Sequence, residues 1–77
     1  MSENKITFEI KKRIGVISNQ ESGWTKELNV VSWNKQSPKF DIRDWNENHD
    51  RMGRGITLQE SEMNRLVEMY MDYANGK

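Results

Sequence analysis

Leu, Ile, Val and Phe supply only 15 of the 77 residues, and cysteine supplies none. That scarcity sets the strictest limit on the fold. Ordering one residue costs on the order of 1.5 kcal/mol of conformational entropy, and a chain this short has little apolar surface to set against it. No disulfide or thiolate metal site is available to help. The remaining remedy is a second subunit. The chain is therefore expected to form one domain, residues 1–77, that completes its core by homodimerisation. Disorder is not expected, because the formal net charge is zero and five Met and three Trp add apolar bulk.

Other classes are excluded as simply. A multi-domain enzyme needs more chain, since a typical domain takes roughly 150 residues. No apolar run exceeds three residues, whereas a membrane-spanning helix needs about 20. No charged segment followed by an apolar one opens the chain, so no secretory leader is expected, and a cytoplasmic location is. A duplex-DNA binder usually carries a basic excess. With 12 Lys and Arg against 12 Asp and Glu, a nucleic-acid role would need a local basic face.

Most of the chain alternates with period two. Lys5 to Ile14 puts Ile6, Phe8 and Ile10 on one parity, which predicts a half-buried strand. Lys12 and Gly15 break the pattern, and a bulge there would carry the strand on through Val16 and Ile17. After the polar turn Ser18–Gly23, Trp24–Trp33 reads as a second strand. Asn34–Pro38 is a turn, Phe40–Trp45 a third strand, Asn46–Asp50 a polar loop and Met52–Ile56 a short fourth strand. The tail changes period. Met63, Leu66, Val67, Tyr70 and Ala74 share one helical face, and Thr57 with Glu60 matches a capping box. A helix over Gln59–Ala74, closed by Asn75-Gly76, follows. Met69, Met71 and Tyr73 lie off the main face, so the helix has apolar surface for the sheet and for a partner. The order, four strands then a helix, predicts an α+β meander with the helix on one sheet face.

Phe8, Ile10, Leu28, Val30, Phe40, Ile42, Ile56 and Leu58 are expected to face that helix. The other parity, expected to face solvent, carries Lys11, Arg13, Val31, Trp33, Arg43 and Trp45. Exposed tryptophans beside cations fit single-stranded nucleic acid: bases stack on aromatic rings and cations meet phosphates. The plainer alternative is that Trp33 and Trp45 pack on loops or on a dimer mate. His49 reads as a solvated loop residue, because no second ligand stands at metal spacing. The glycines of Met52-Gly53-Arg54-Gly55 lack phosphate-loop spacing and read as turn residues. The methionines read as core or interface filler. No catalytic residue, metal or cofactor is expected.

The run Phe40-Asp41-Ile42-Arg43-Asp44-Trp45, a polar loop, Gly53-Arg54-Gly55-Ile56-Thr57-Leu58 and a helix resembles the transcriptional coactivator family named for positive cofactor 4. It is most like the short bacterial YdbC-type members. The specific match spans Phe40 to Leu66. The resemblance implies an intertwined homodimer of curved four-stranded antiparallel sheets, each followed by a C-terminal helix, binding single-stranded DNA across the sheets. It implies that Arg43 contacts the strand and that Trp33 stacks a base, with Trp45 beside them. Lys26, Lys35 and Lys39 fall near family basic positions. Lys11, Arg13 and Arg54 complete the expected DNA-binding set, and Met63, Leu66, Val67, Met69, Tyr70 and Met71 the expected dimer interface. The segment Arg51-Met52-Gly53-Arg54 is shorter than the eukaryotic Lys-Pro-x-x-Lys and lacks its proline. The Ser- and acid-rich regulatory tail is missing, so the resemblance covers the binding domain and not coactivation. Sequence-tolerant single-stranded-DNA binding, in transcription regulation or genome maintenance, is the function expected. A protein–protein adaptor, among transcription proteins for example, and a single-stranded-RNA binder are the alternatives.

Overall fold

The computed structural model describes residues 6–76. Four strands, β1 (Phe8–Asn19), β2 (Thr25–Trp33), β3 (Lys39–Trp45) and β4 (Met52–Leu58), precede one helix, α1 (Glu60–Ala74). The strands form a single antiparallel meander in the order β1-β2-β3-β4. Lys5, expected in the first strand, lies outside the described residues.

The bulge expected in β1 is present three times over. Register shifts fall between Ile10 and Lys12, Arg13 and Gly15, and Val16 and Ser18. Each extra residue bends the strand and tightens its twist. The first shift changes which face the start of β1 serves. Phe8 pairs with Trp33 and Ile10 with Val31, while Lys12 pairs with Val30. Directly paired residues share a sheet face. Phe8 and Ile10 therefore lie on the Trp33 side and not on the helix side, where strict alternation had put them.

The turns close as their residues demand. Asn34 and Lys35 both take positive φ (52° and 65°), and Gln36 N–H donates to the Trp33 carbonyl at 2.9 Å. Trp33–Gln36 is thus a turn of type I′ geometry inside the longer connection from Trp33 to Lys39. At the helix start, the expected Thr57–Glu60 box is replaced by Gln59 and Glu62, whose carboxylate accepts from the Gln59 N–H at 2.8 Å. Thr57 cannot cap because it is still in β4, paired with Asp41. The C-terminus closes on Asn75 and Gly76 as expected, with Gly76 at φ 79° and its N–H on the Tyr73 carbonyl at 3.0 Å.

Burial is the main departure from expectation. The helix lies over the β3–β4 side of the apolar parity, where Ile42, Ile56 and Leu58 face Leu66 and Met69 across a groove. It buries none of its own residues fully, and Ile56 remains 53% exposed. The opposite face holds every buried residue among those described: Glu27, Asn29, Val31, Asp41 and Trp45. The face expected to meet solvent is the better-packed one. Curling of the bulged β1 brings Phe8 onto Trp33 and Trp45, with ring centroids 5.8 and 5.2 Å apart.

Gly53 and Gly55 are strand residues, not turn residues. Gly55 sits opposite Arg43, and a Cβ there would overlap the Arg43 Cβ and the Ile42 carbonyl oxygen. Gly15 has open space around it. Gly55→Ala is therefore expected to cost at least about 1–3 kcal/mol, the range for forced overpacking. Gly15→Ala should be neutral or slightly stabilising, since glycine weakens a strand interior by roughly 0.5–1 kcal/mol. Urea midpoints of the two variants test this, and equal midpoints would contradict it.

Candidate nucleic-acid interface

Period-two alternation puts Thr25, Glu27, Asn29, Val31 and Trp33 of β2 on one face with Asp41, Arg43 and Trp45 of β3. The register sets Glu27 opposite Arg43 and Asn29 opposite Asp41. Two acids on this face, Asp41 and Glu27, each gather several donors. Asp41, with no exposed surface, accepts from Arg43 Nε at 2.6 Å and Nη2 at 3.0 Å. It also accepts from Trp33 Nε1 at 3.3 Å and Thr57 Oγ1 at 3.0 Å. One carboxylate thus joins β2, β3 and β4. Arg43 Nη1 donates onward to the Gly53 carbonyl at 3.3 Å. The Arg43 guanidinium carbon lies 4.7 Å from the centroid of a Trp33 ring, a cation–π distance.

The second acid, Glu27, holds the β3–β4 loop. It accepts from Thr25 Oγ1 at 2.5 Å, Asn29 Nδ2 at 3.1 Å and His49 Nε2 at 2.9 Å. Asn46 organises that loop by accepting from the N–H groups of Asp50 and Arg51 at 3.1 and 3.0 Å. His49, at φ 59°, turns its ring inward to stack on Trp45 at 5.6 Å. His49 is therefore a packed structural residue and not the solvated one that its polar neighbours had led us to expect. Its sequence context carried no sign of this, because its partner is 22 positions away. Asn29 Oδ1 and Trp45 Nε1 are buried without a hydrogen-bond partner among the described residues, a cost of about 1–3 kcal/mol for each such group.

The expected binding residues divide accordingly. Trp45 is 0% exposed and packs between Phe8 and His49, so it serves the core and offers no surface to a ligand. Lys26 lies on the helix-side face, paired with Asp44 at 3.0 Å, away from Trp33. Lys11 falls in the first bulge and pairs with Glu9 at 3.5 Å. Arg43 is 15% exposed, its charge already met by Asp41. Trp33 is half-buried at the end of β2. Lys35 is exposed in the turn beside it, and Lys39 and Arg13 are exposed at register positions on the Trp33 face, opposite Val31 and Asn29. Arg54 is exposed on β4. These last four cations have no acidic partner among the described residues. Sequence reading missed Asp41, Glu27 and Phe8 as parts of the site. The spacing of Asp41 and Arg43, two apart on a strand and so on one face, is the signal that would have found the first.

No group of His, Asp and Glu suited to a metal ion occurs among the described residues. No helix there is long and apolar enough to cross a membrane.

The Glu27 cluster has a pH signature. Burial alone would raise the pKa of this carboxyl, but hydrogen bonds from Thr25, Asn29 and His49, and the charge of His49, outweigh it and hold the group below 4.5. A carboxyl lowered on folding stabilises the fold above its unfolded pKa, and that contribution is lost as pH falls through the lowered value. The stability difference between wild type and Glu27→Gln, from urea unfolding at a series of pH values, should therefore shrink once the pH drops below 4.5. A difference that stays constant into acid would show that these bonds add nothing to the fold.

Two comparisons place this geometry among known proteins. Residues 20–69 match the family described as Transcriptional Coactivator p15 (PC4). An uncharacterized protein of Treponema pallidum (strain Nichols) is 36% identical over 62 residues, which cover 80% of this chain and 73% of that protein. The family match takes in β2, β3, β4 and most of α1, the elements that build the buried polar face and the groove beneath the helix. The chain belongs to the Transcriptional Coactivator p15 (PC4) family.

Proposed function

We propose that this protein binds single-stranded DNA, with little regard to sequence, through the face bearing Trp33. The observation that carries the reading is the setting of that tryptophan. Its ring is fixed by Asp41 and Arg43, and it remains partly exposed. Among the described residues no acidic partner meets Lys39 and Arg13 on the same face or Lys35 in the adjoining turn. A fixed aromatic ring with cations around it suits a strand whose bases are unpaired, because stacking needs an open π-face and tolerates any base. A duplex keeps those faces to itself. Family membership supports nucleic-acid binding without catalysis.

The reading includes a homodimer. A 15-residue helix is marginal alone in water and draws its stability from packing, yet α1 has no buried residue. Leu66, Val67, Met69, Tyr70 and Met71 are all exposed, Met63 is half-buried, and the groove between helix and sheet is apolar and open. A second copy laid across the helix and groove would cover this surface. It would also present two Trp33 faces to one strand.

Quenching of tryptophan fluorescence by oligo-dT, titrated at several salt concentrations, tests the binding face. Trp33→Ala should weaken binding by about 1–3 kcal/mol per base unstacked, with the salt slope unchanged. Lys39→Ala and Arg13→Ala should each flatten the slope of log affinity against log salt by about 0.7, the value for one phosphate on a single strand. Duplex of the same sequence should bind far more weakly. Equal affinity for duplex would reduce the interaction to charge attraction, and preference for oligo-U would make RNA the ligand.

Sedimentation tests the assembly. The wild type should run as a dimer at micromolar concentration, and Met69→Glu should shift it towards monomer. A folded wild-type monomer at that concentration would rule the dimer out.

A further inference from the structure

The sequence resemblance implies that Arg43 touches the bound strand. The geometry points to another role, and we propose it: Arg43 acts on a ligand only through Trp33, as a clamp on one face of the indole, with Asp41 as the positioning residue that holds the clamp. This inference rests on the single-stranded-DNA reading and assigns the work within that site.

Three observations carry it. First, the charge of Arg43 is already cancelled. Its Nε and Nη2 form a two-point pair with a carboxylate that has no exposed surface. Turning towards a phosphate would leave Asp41 ionised, buried and without its main counter-charge, which is strongly unfavourable. Second, a third donor is used on the Gly53 carbonyl and the side chain is only 15% exposed, so little of the guanidinium can reach a ligand. Third, the same carboxylate that holds Arg43 also accepts from Trp33 Nε1. Asp41 therefore fixes the indole twice, at its edge by a hydrogen bond and at its face by the guanidinium it positions 4.7 Å from a ring centroid.

The consequence is a one-sided platform. The guanidinium occupies one face of Trp33, so a base can stack only from the other. Ordering of the ring is completed before the ligand arrives, which removes part of the entropic cost of binding. Phosphate neutralisation then falls to the exposed cations nearby and not to Arg43.

The roles separate in a double-mutant cycle. Arg43→Lys keeps the charge but not the planar fork or the stacking surface. A phosphate contact would tolerate it, whereas a clamp would not. Oligo-dT affinity should fall about tenfold for Arg43→Lys in the wild-type background, within the range of one stacked base. It should be unchanged by Arg43→Lys in a Trp33→Ala background, because residues that act through one another are not additive. The paired change Asp41→Asn with Arg43→Gln removes both charges together and leaves no buried ion unpaired. It should lower affinity without altering the salt slope. A slope lower by about 0.7 in that variant would show Arg43 on a phosphate and overturn the inference, as would wild-type affinity for Arg43→Lys. If the paired variant does not melt cooperatively, the Arg43→Lys cycle decides alone. Failure of the wild type to bind oligo-dT at all would instead overturn the nucleic-acid reading, a result distinct from either.

Discussion

The fold turns on one buried carboxylate. Asp41 lies at the centre of β3 with no exposed surface and receives hydrogen bonds from β2, β3 and β4. Removing an ionised carboxylate from water costs several kcal/mol even after the protein relaxes. That cost is offset where the carboxylate has several donors and a close counter-charge. Both conditions hold here, with Arg43 as the counter-charge and Trp33 and Thr57 as further donors. The arrangement constrains more than itself. It fixes Trp33 at the end of β2, keeps Thr57 in β4 and so delays the helix start to Glu60, and demands glycine at position 55, where a side chain would meet Arg43. Gly55 is thus the backbone counterpart of the Asp41–Arg43 pair.

The two faces of the sheet then divide the work of folding unequally. On the Trp33 face, polar groups are buried in pairs and the aromatic rings of Phe8, Trp33 and Trp45 close over them. Such a layer specifies register well, since a one-residue slip would take Trp33 and Thr57 from Asp41 and turn the side chains of the slipped strand to the other face. It also holds the buried hydrophobic residues among those described, Val31 and Trp45. The apolar face is left half-open beneath α1. The proposed dimer would resolve the scarcity of apolar residues by placing specificity within one chain and covering the larger apolar surface with another.

Much of this was legible in the sequence. The strand order, the bulges near Lys12 and Gly15, the helix and its Asn75-Gly76 close follow from period and turn chemistry. So does the division of residues between faces, apart from Phe8 and Ile10, because alternation decides it wherever no bulge intervenes. What alternation cannot decide is which face is buried. Glu27, Asn29, Asp41 and Arg43 read as solvent residues one by one. Asp41 with Arg43 and Glu27 with Asn29 stand two apart on one strand. What no single strand shows is the closure from outside it, by Trp33 and Thr57 onto Asp41 and by His49 onto Glu27. His49 was illegible for the same reason. Its partner, Glu27, lies on another strand, and the polar loop around His49 is organised by Asn46 rather than by anything at His49 itself. Trp45 was misread because its family position and its parity both pointed outward, while the bend of β1 brought Phe8 over it.

That misreading bears on how a small binding surface can be built. Placed on one sheet face, two tryptophans and an arginine look like three contacts for a ligand. The structure makes them serve different ends. Trp45 is core, Arg43 lies against a Trp33 ring, and of the two tryptophans Trp33 is the one that keeps exposed surface. A single platform per chain is a weak binder, since one stacked base contributes about 1–3 kcal/mol. Pairing two chains raises the effective concentration of the second platform once the first is engaged. The same dimerisation that would cover the exposed apolar residues of α1 would thus turn a single weak contact into a useful one. Stability and binding then draw on one event, and a chain with so little apolar surface has reason to join them.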